Sequence, residues 1–165
     1  LCLSEALYNT DGIAAVRYPK GGENGSVEPS VSWDWSGKRG GTLAVSYGRL
    51  SANMTAAARE ASQRGEPVDW LRLVRISPIP EEALRTSLSY KRVVFFEEGI
   101  LQGGIGERFG AALLEMGYSG GFEVVGVDGQ FVPAGTVAQQ LELFGLDRAS
   151  MAARLTNLPG GNHAT

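Results

Sequence analysis

The sequence predicts an α/β domain: a three-layer sandwich whose mainly parallel, mixed sheet of about five strands lies between helices. Two observations lead to this prediction. From residue 42 onward, short β-branched and aromatic runs alternate with segments of helical periodicity, which is typical of parallel strands joined by crossover helices. The run RVVFFEE is also apolar without alternation, as expected for a central strand that is covered on both faces.

The first 41 residues are less regular. LSEALYN predicts a short helix, Asp11-Gly12 predicts a turn, and Ile13–Tyr18 predicts a strand that Pro19 ends. The stretch rich in Gly, Ser and Pro that follows is too long for a loop inside one compact domain, so it predicts an interdomain linker. Within it, Trp33 and Trp35 alternate with polar residues, which predicts a short strand that pins the linker to a domain surface.

The middle of the chain predicts two strand-helix units. After the strand TLAVSYG, a helix begins with Ser51 as its N-cap and ends at Gly65. The predicted buried stripe of this helix contains Met54, Ala57, Ala58 and Ala61. VDWLRLVRI predicts a long strand, and PEEALRTSL predicts a helix with Pro80 at its first position and Glu81 and Glu82 favourably placed for the helix dipole.

The C-terminal half predicts a strand RVVFFEE, a helix from Ile105 to Met116 and a strand FEVVGV. Thr136 and Gln139 predict a capping box. The apolar stripe of the capped helix contains Val137, Leu141 and Phe144. Asp147 caps a last helix, whose inward side chains are Met151, Leu155 and Leu158. PGGNHAT predicts a disordered tail.

The glycine-rich turn before Ile105 can be interpreted in two ways. Its motif, Gly104–Gly110, is a variant of the dinucleotide-binding fingerprint, and helix N-termini attract anions. However, Glu97 and Glu98 come just before the turn, and Glu107 lies in the first helical turn. These carboxylates can take the free N–H groups themselves and would repel a phosphate. We therefore predict that the glycines serve close backbone packing, which could extend across a subunit interface.

No other group of residues predicts complete chemistry. Glu97 and Glu98 are neighbours on a strand and point to opposite faces, so they cannot form an acid/base pair by themselves. Asp69, Arg72 and Arg75 are scattered along one strand, where a solvated or interdomain role is the default. We predict no catalytic, cofactor-binding or metal-binding residue in this chain.

Composition excludes several classes of protein. The 165 residues suit one domain, or one domain with an appendage, and no apolar run approaches the length of a membrane span. The net charge of −3, with both signs interspersed, predicts no binding to nucleic acid or to an anionic membrane. The lone Cys2 and His163 lie near opposite ends, which argues against a Cys/His metal site or catalytic pair, and a single cysteine fits a cytoplasmic protein. The chain opens without methionine or a signal-peptide pattern, so we expect a fragment of something longer.

Several stretches resemble, in family order, the 1-deoxy-D-xylulose-5-phosphate synthases, which are enzymes of transketolase type. VRYPKGG resembles the R-Y-P-[RK]-G motif that closes their middle, pyrimidine-binding domain. LAVSYGRLSANMTAAA, VVFFEEGILQGGIGERFGAALLEMG and VVGVDGQFVPAGTVAQQLELFGLDRASMAARL are similar to segments of their C-terminal domain. The resemblance implies that residues 1–20 are the tail of the pyrimidine-binding domain, 21–41 an interdomain linker, and 42–165 a transketolase-like C-terminal domain.

The resemblance also implies a function. Family members are homodimers that condense pyruvate with D-glyceraldehyde 3-phosphate, with loss of CO2, in the biosynthesis of isoprenoids and thiamine. They use thiamine diphosphate and Mg²⁺, which bind upstream segments that have no counterpart here. We therefore expect a fragment that is inactive alone, binds neither cofactor, and needs its own N-terminal domains as partners. Arg17 matches the arginine that contacts the acceptor's phosphate, and Lys20 is a weaker auxiliary candidate.

Other functions remain open from the sequence. The domain could belong to a transketolase or to the beta subunit of a 2-oxo acid dehydrogenase, although VRYPKGG favours the synthase. A stand-alone nucleotide-binding module would use the glycine turn. A pure interaction domain would use an exposed apolar face to recruit a partner.

Overall fold

A computed structural model of the chain describes residues 2–18, 32–38, 41–65 and 67–156. Within these ranges, six helices and five strands follow one another as the sequence predicts from residue 42 onward. The elements are α1 (Cys2–Tyr8), β1 (Trp33–Ser36), β2 (Thr42–Tyr47), α2 (Leu50–Arg64), β3 (Val68–Leu73), α3 (Glu81–Ser87), β4 (Arg92–Ile100), α4 (Ile105–Glu115), β5 (Gly121–Val127), α5 (Val137–Leu143) and α6 (Arg148–Thr156). The predicted α/β class is confirmed.

The strands form one mixed sheet in the order β1-β3-β2-β4-β5. Strands β2 to β5 run parallel, and β1 adds to the β3 edge in the antiparallel direction. The chain leaves β2 toward β3 on one side and later passes from β4 to β5 on the other. The point at which the strand order reverses therefore lies between β2 and β4, where ligands usually bind in open α/β sheets.

Two apolar cores lie on opposite faces of the sheet, which confirms the three layers. Phe95 and Phe96 are neighbours on β4 and are both fully buried, one in each core. Helices α2 and α6 cover the face that contains Phe96, while α3 and α4 cover the face that contains Phe95. The predicted stripe of α2 is buried, and its three alanines let the helix lie close to the sheet.

Several predicted element boundaries are wrong by a few residues. Ser51 is not the N-cap of α2; Arg49 holds that position, and the buried Ser51 hydroxyl accepts a hydrogen bond from the Ser46 hydroxyl at 3.2 Å. Because its hydroxyl is bonded in the core, Ser51 lies inside α2 and does not cap it. Pro80 is the N-cap of α3 rather than its first residue, and β3 ends at Leu73 although the apolar run continues.

The prediction for the N-terminal residues is half correct. Helix α1 and the turn at Gly12, with φ 104°, are present. Residues 13–18, however, are not a strand. Ile13 is fully exposed, and a strand without a neighbouring strand has no partner for its backbone N–H and C=O groups. By contrast, Trp33 and Trp35 lie in the predicted short strand, β1, and pack against the core on the α4 side.

The last two helices follow the predicted capping. Thr136 and Gln139 form the complete capping box of α5. Leu141 and Phe144 pack against the core, but Val137 is 43% exposed, so its predicted place on the buried stripe is wrong. In α6, Met151 and Leu155 are buried as predicted. Leu158 and the tail PGGNHAT lie outside the described residues.

Candidate functional site at the carboxyl edge of the sheet

The carboxyl ends of β2, β3, β4 and β5 form one edge of the sheet, here called the carboxyl edge. At the reversal point between β2 and β4, this edge presents Tyr47 and Glu97. The Tyr47 hydroxyl donates a hydrogen bond of 3.4 Å to Glu97 Oε2. The place where an α/β sheet would hold a ligand is thus lined by a phenol and a carboxylate.

The carboxylate of Glu97 caps helix α4. The side chain is only 1% exposed, and it accepts hydrogen bonds from the backbone N–H of Ile105 at 2.9 Å and of Gly106 at 3.3 Å. These are two of the free donors that make a helix N-terminus an anion site. Glu97 therefore occupies the position that a bound phosphate would need.

The glycines of the turn provide the space for this carboxylate. A Cβ on Gly104 would lie 2.4 Å from Glu97 Oε1, and a Cβ on Gly106 would lie 2.5 Å from Val124. One helical turn later, a Cβ on Gly110 would meet the ring of Phe122 at 2.4 Å. The prediction that the glycines serve close packing is confirmed, and the packing is between α4 and β5 of the same chain.

The local charges disfavour a second anion. Burial raises the pKa of Glu97, although its hydrogen bonds to the helix N–H groups oppose this shift. Glu107 accepts a hydrogen bond from the backbone N–H of Gly103, and Glu98 forms a bidentate ion pair with Arg49. The prediction that carboxylates take the N–H groups of the helix is confirmed for Glu97, whereas Glu107 accepts an N–H of the turn before α4. Glu98 lies on the opposite face and pairs elsewhere.

Arg17 is exposed and lies within electrostatic range of the same edge. Burial and the neighbouring Glu97 raise the pKa of Tyr47 to about 12, and the positive charge of Arg17 opposes this increase. Residues 2–18, which include Arg17, also contact the carboxyl edge. Oε1 of Glu5 lies 3.9 Å from Nη2 of Arg75, just beyond β3. Lys20, the second predicted phosphate contact, lies outside the described residues.

A buried polar network fastens β1 to the sheet. The Tyr90 hydroxyl donates to Asp69 Oδ2 at 2.7 Å and accepts a hydrogen bond from Trp35 Nε1 at 2.9 Å. Asp69 also accepts the backbone N–H of Lys38 at 2.9 Å. The solvated half of the default role is therefore wrong for Asp69 and for Arg72, which is 9% exposed and paired with Asp34. Sequence alone gave no sign of this network.

The described residues contain no group of three or more His, Cys, Asp or Glu side chains that could hold a metal ion. Cys2 begins α1, and His163 lies outside the described ranges. Among the helices that the structure describes, none is both long and apolar enough to cross a membrane.

Comparison with known families gives the class of this protein. The sequence profile of the family "Transketolase, C-terminal domain" matches residues 39–151, so the chain belongs to this family. A solved structure described as "Split gene transketolase, inactive beta4 tetramer" superposes on 70% of this chain and 39% of that chain, with a TM-score of 0.57 and 25% identity. The transketolase-like fold expected from the resemblance is confirmed.

Curated relatives that match this chain include 1-deoxy-D-xylulose-5-phosphate synthases, as the sequence motifs indicate. The synthase of Azobacteroides pseudotrichonymphae is 32% identical over 87% of this chain and 24% of its own length. That of Rhodococcus jostii (strain RHA1) is 31% identical over 93% of this chain and 25% of its own, and that of Bacillus licheniformis is 29% identical over 93% and 26%. The chain spans about a quarter of the length of these relatives.

Proposed function

We propose that this chain acts as the C-terminal domain of a 1-deoxy-D-xylulose-5-phosphate synthase, a cytoplasmic homodimer that joins pyruvate to D-glyceraldehyde 3-phosphate with loss of CO2. The extent of the match carries the proposal. The family profile begins at residue 39, but synthases align over 93% of the chain. The unaligned remainder of the chain is shorter than the segment before residue 39, so the alignment includes part of that segment. The likeness to synthases therefore extends beyond the domain that transketolase-type enzymes share.

The proposed division of the chain follows from this match. Residues 1–20 are the tail of the preceding pyrimidine-binding domain, 21–41 the linker, and 42–165 the C-terminal domain. The exposure of Leu3, Leu7 and Ile13 supports the first assignment, because a segment with its own core would bury them. Strand β1 lies within the linker range and joins the sheet, so the linker is fastened to the C-terminal domain at that point.

Thiamine diphosphate and Mg²⁺ are the cofactors of the proposed enzyme, and the described residues do not fit them. The N-terminus of α4 is occupied by Glu97, and Glu107 adds negative charge beside it. A diphosphate would be repelled there. We propose that the cofactors bind other parts of the enzyme, that this chain alone is inactive, and that it contributes to dimer packing and to the acceptor side of the active site.

Arg17 is the proposed contact of this chain with the acceptor's phosphate, with Lys20 as an auxiliary. A guanidinium suits a phosphate dianion because its fork of N–H groups can donate two parallel hydrogen bonds. The exposure of Arg17 and its position near Tyr47 support the proposal, since an exposed guanidinium can contact a ligand that is bound in a neighbouring domain.

A chimera tests the proposed function. In the Rhodococcus jostii synthase, the region that matches this chain is replaced by this chain, and formation of 1-deoxy-D-xylulose 5-phosphate is measured with saturating cofactors. We expect activity well above that of the relative truncated at the same point. A chimera that is folded by circular dichroism yet no more active than the truncated relative contradicts the proposal.

The role of Arg17 is tested in the same chimera. Arg17→Met removes charged hydrogen bonds worth about 1.5–3 kcal/mol, so the KM for D-glyceraldehyde 3-phosphate should rise roughly 10- to 100-fold. The KM for pyruvate should stay unchanged. Arg85→Met is the matched control, because Arg85 is exposed on α3 and pairs with Glu81. An equal effect of the two substitutions would remove Arg17 from the site.

A further inference from the structure

Large apolar side chains are exposed where β4 and β5 end. Ile100 is the last residue of β4 and is 59% exposed. Phe131 follows the end of β5 by four residues and is fully exposed, and Val132 beside it is 41% exposed. These three residues form what we call the carboxyl-edge patch. Large apolar side chains that are exposed after the ends of two adjacent strands mark a candidate interaction surface.

The N-terminal segment of the chain reaches the same edge of the sheet. The backbone N–H groups of Val74 and Arg75, just beyond β3, donate to the carbonyl of Ser32, so the chain enters β1 from the carboxyl edge. The pairing of Glu5 with Arg75 holds α1 near that edge as well. Both contacts are on the carboxyl-edge side of β3.

The N-terminal segment itself lacks a cover. Ile13 is fully exposed and Tyr18 is 86% exposed, although both are large apolar residues. Tyr18 follows Arg17, whose charge acts on Tyr47 at the carboxyl edge. A body that covers these residues from the carboxyl-edge side would also face the carboxyl-edge patch. The synthase relatives carry about three quarters of their length outside the region that matches this chain.

We propose that the carboxyl-edge patch docks on an apolar surface of the upstream part of the synthase, the part to which residues 2–18 belong. Phe131 inserts into that surface, with Ile100 and Val132 beside it. The inference rests on the proposed function, because it takes its partner from the synthase relatives. It goes further by assigning the face of the sheet, and the side chains, that meet the rest of the enzyme.

Hydrogen–deuterium exchange on the chimera and on the isolated chain tests the proposal. Docking should slow the exchange of amides 128–134 in the chimera by about tenfold or more relative to the isolated chain. The C-terminal turn of α4 around Leu114 should exchange equally in both, because it lies away from the carboxyl edge. Equal exchange of residues 128–134 in a folded chimera overturns the proposal.

Two matched substitutions give a second measurement. Phe131→Asp should lower the unfolding midpoint of the chimera and leave that of the isolated chain unchanged, because Phe131 is fully exposed in the chain itself. Leu114→Asp, at a residue that is 69% exposed, should give no difference between chimera and chain. Equal effects of Phe131→Asp in both proteins, or no effect in either, overturn the proposal.

Sedimentation of the isolated chain separates the upstream domains from a second copy as the partner. We expect its association state to be the same with and without Phe131→Asp. A dimer that this substitution dissociates would assign the patch to a second copy and overturn the proposal. An active chimera with unprotected residues 128–134 would reject this inference while the proposed function stands, whereas a protected but inactive chimera would reject the proposed function alone.

Discussion

Replacing Glu97 with alanine should destabilise the chain far more than the same change at Glu98. The two glutamates are adjacent on β4, but Glu97 is 1% exposed and bonded to the N-terminus of α4. The Glu97→Ala variant leaves the N–H groups of Ile105 and Gly106 without their acceptor, and it also removes the acceptor of the Tyr47 hydroxyl. Because these donors lie in or beside a closed part of the fold, water can replace the carboxylate only in part.

The magnitude follows from these contacts. Each buried donor left without a partner costs about 1–3 kcal/mol, and losing an anion at a helix N-terminus costs about 0.3–1 kcal/mol more. Removing a buried carboxylate also relieves its desolvation, so we expect a net loss of about 2–4 kcal/mol. Glu98→Ala breaks a half-exposed ion pair with Arg49, for which about 0.2–1 kcal/mol is expected.

Thermal unfolding of the isolated chain, followed by circular dichroism, measures both changes. A domain of this size loses about 2–4 °C of Tm per kcal/mol, so Glu97→Ala should lower Tm by about 5–15 °C and Glu98→Ala by no more than about 4 °C. If the two variants are equally stable, the hydrogen bonds of Glu97 to α4 do not hold the turn. The account of the glycine motif as a self-occupied anion site would then be refuted.

Three further predictions concern stability. Burial raises the pKa of Glu97, so its protonated form stabilises the fold. This contribution is fully present below the unfolded-state pKa of about 4.3 and is lost as pH rises through the folded-state pKa. Unfolding curves from pH 4 to 8 should therefore show the wild type losing stability relative to Glu97→Gln, and a constant difference would contradict this. Gly110→Ala should cost about 1–3 kcal/mol in urea unfolding, because its Cβ would meet the Phe122 ring at 2.4 Å, and an unchanged midpoint would mean that the ring moves freely. Tyr90→Phe should cost about 1–3 kcal/mol by removing the donor to Asp69, whereas a loss below about 0.5 kcal/mol would show that the hydroxyl is dispensable.

The parts of the fold that sequence predicts are those encoded by short-range patterns. The capping box of Thr136 and Gln139 spans three residues, and the uninterrupted apolar run of β4 marks a central strand whatever its neighbours are. The crowding of acids around the glycine turn was also visible, and it correctly predicted that a carboxylate would take N–H groups of α4. In each of these cases, the interacting groups lie within about ten residues of one another.

The parts that sequence misses depend on distant partners. Residues 13–18 have a strand-like pattern but no adjacent strand, and Ser51 has a capping side chain that bonds Ser46 in the core instead. Asp69 and Tyr90 are 21 residues apart in the sequence, and no short-range pattern indicates that they are in contact. The proximity of Arg17 to Tyr47 likewise depends on how the N-terminal segment lies against the sheet.

The central proposal is that this chain is a supporting domain whose own glutamate fills its anion site, and that the cofactors bind other parts of the enzyme. Isothermal titration calorimetry of thiamine diphosphate with Mg²⁺ into the isolated chain tests it most directly. We expect no saturable heat from the chain, and one-site binding per subunit from the chimera under the same conditions. Stoichiometric, saturable binding to the isolated chain would contradict the account.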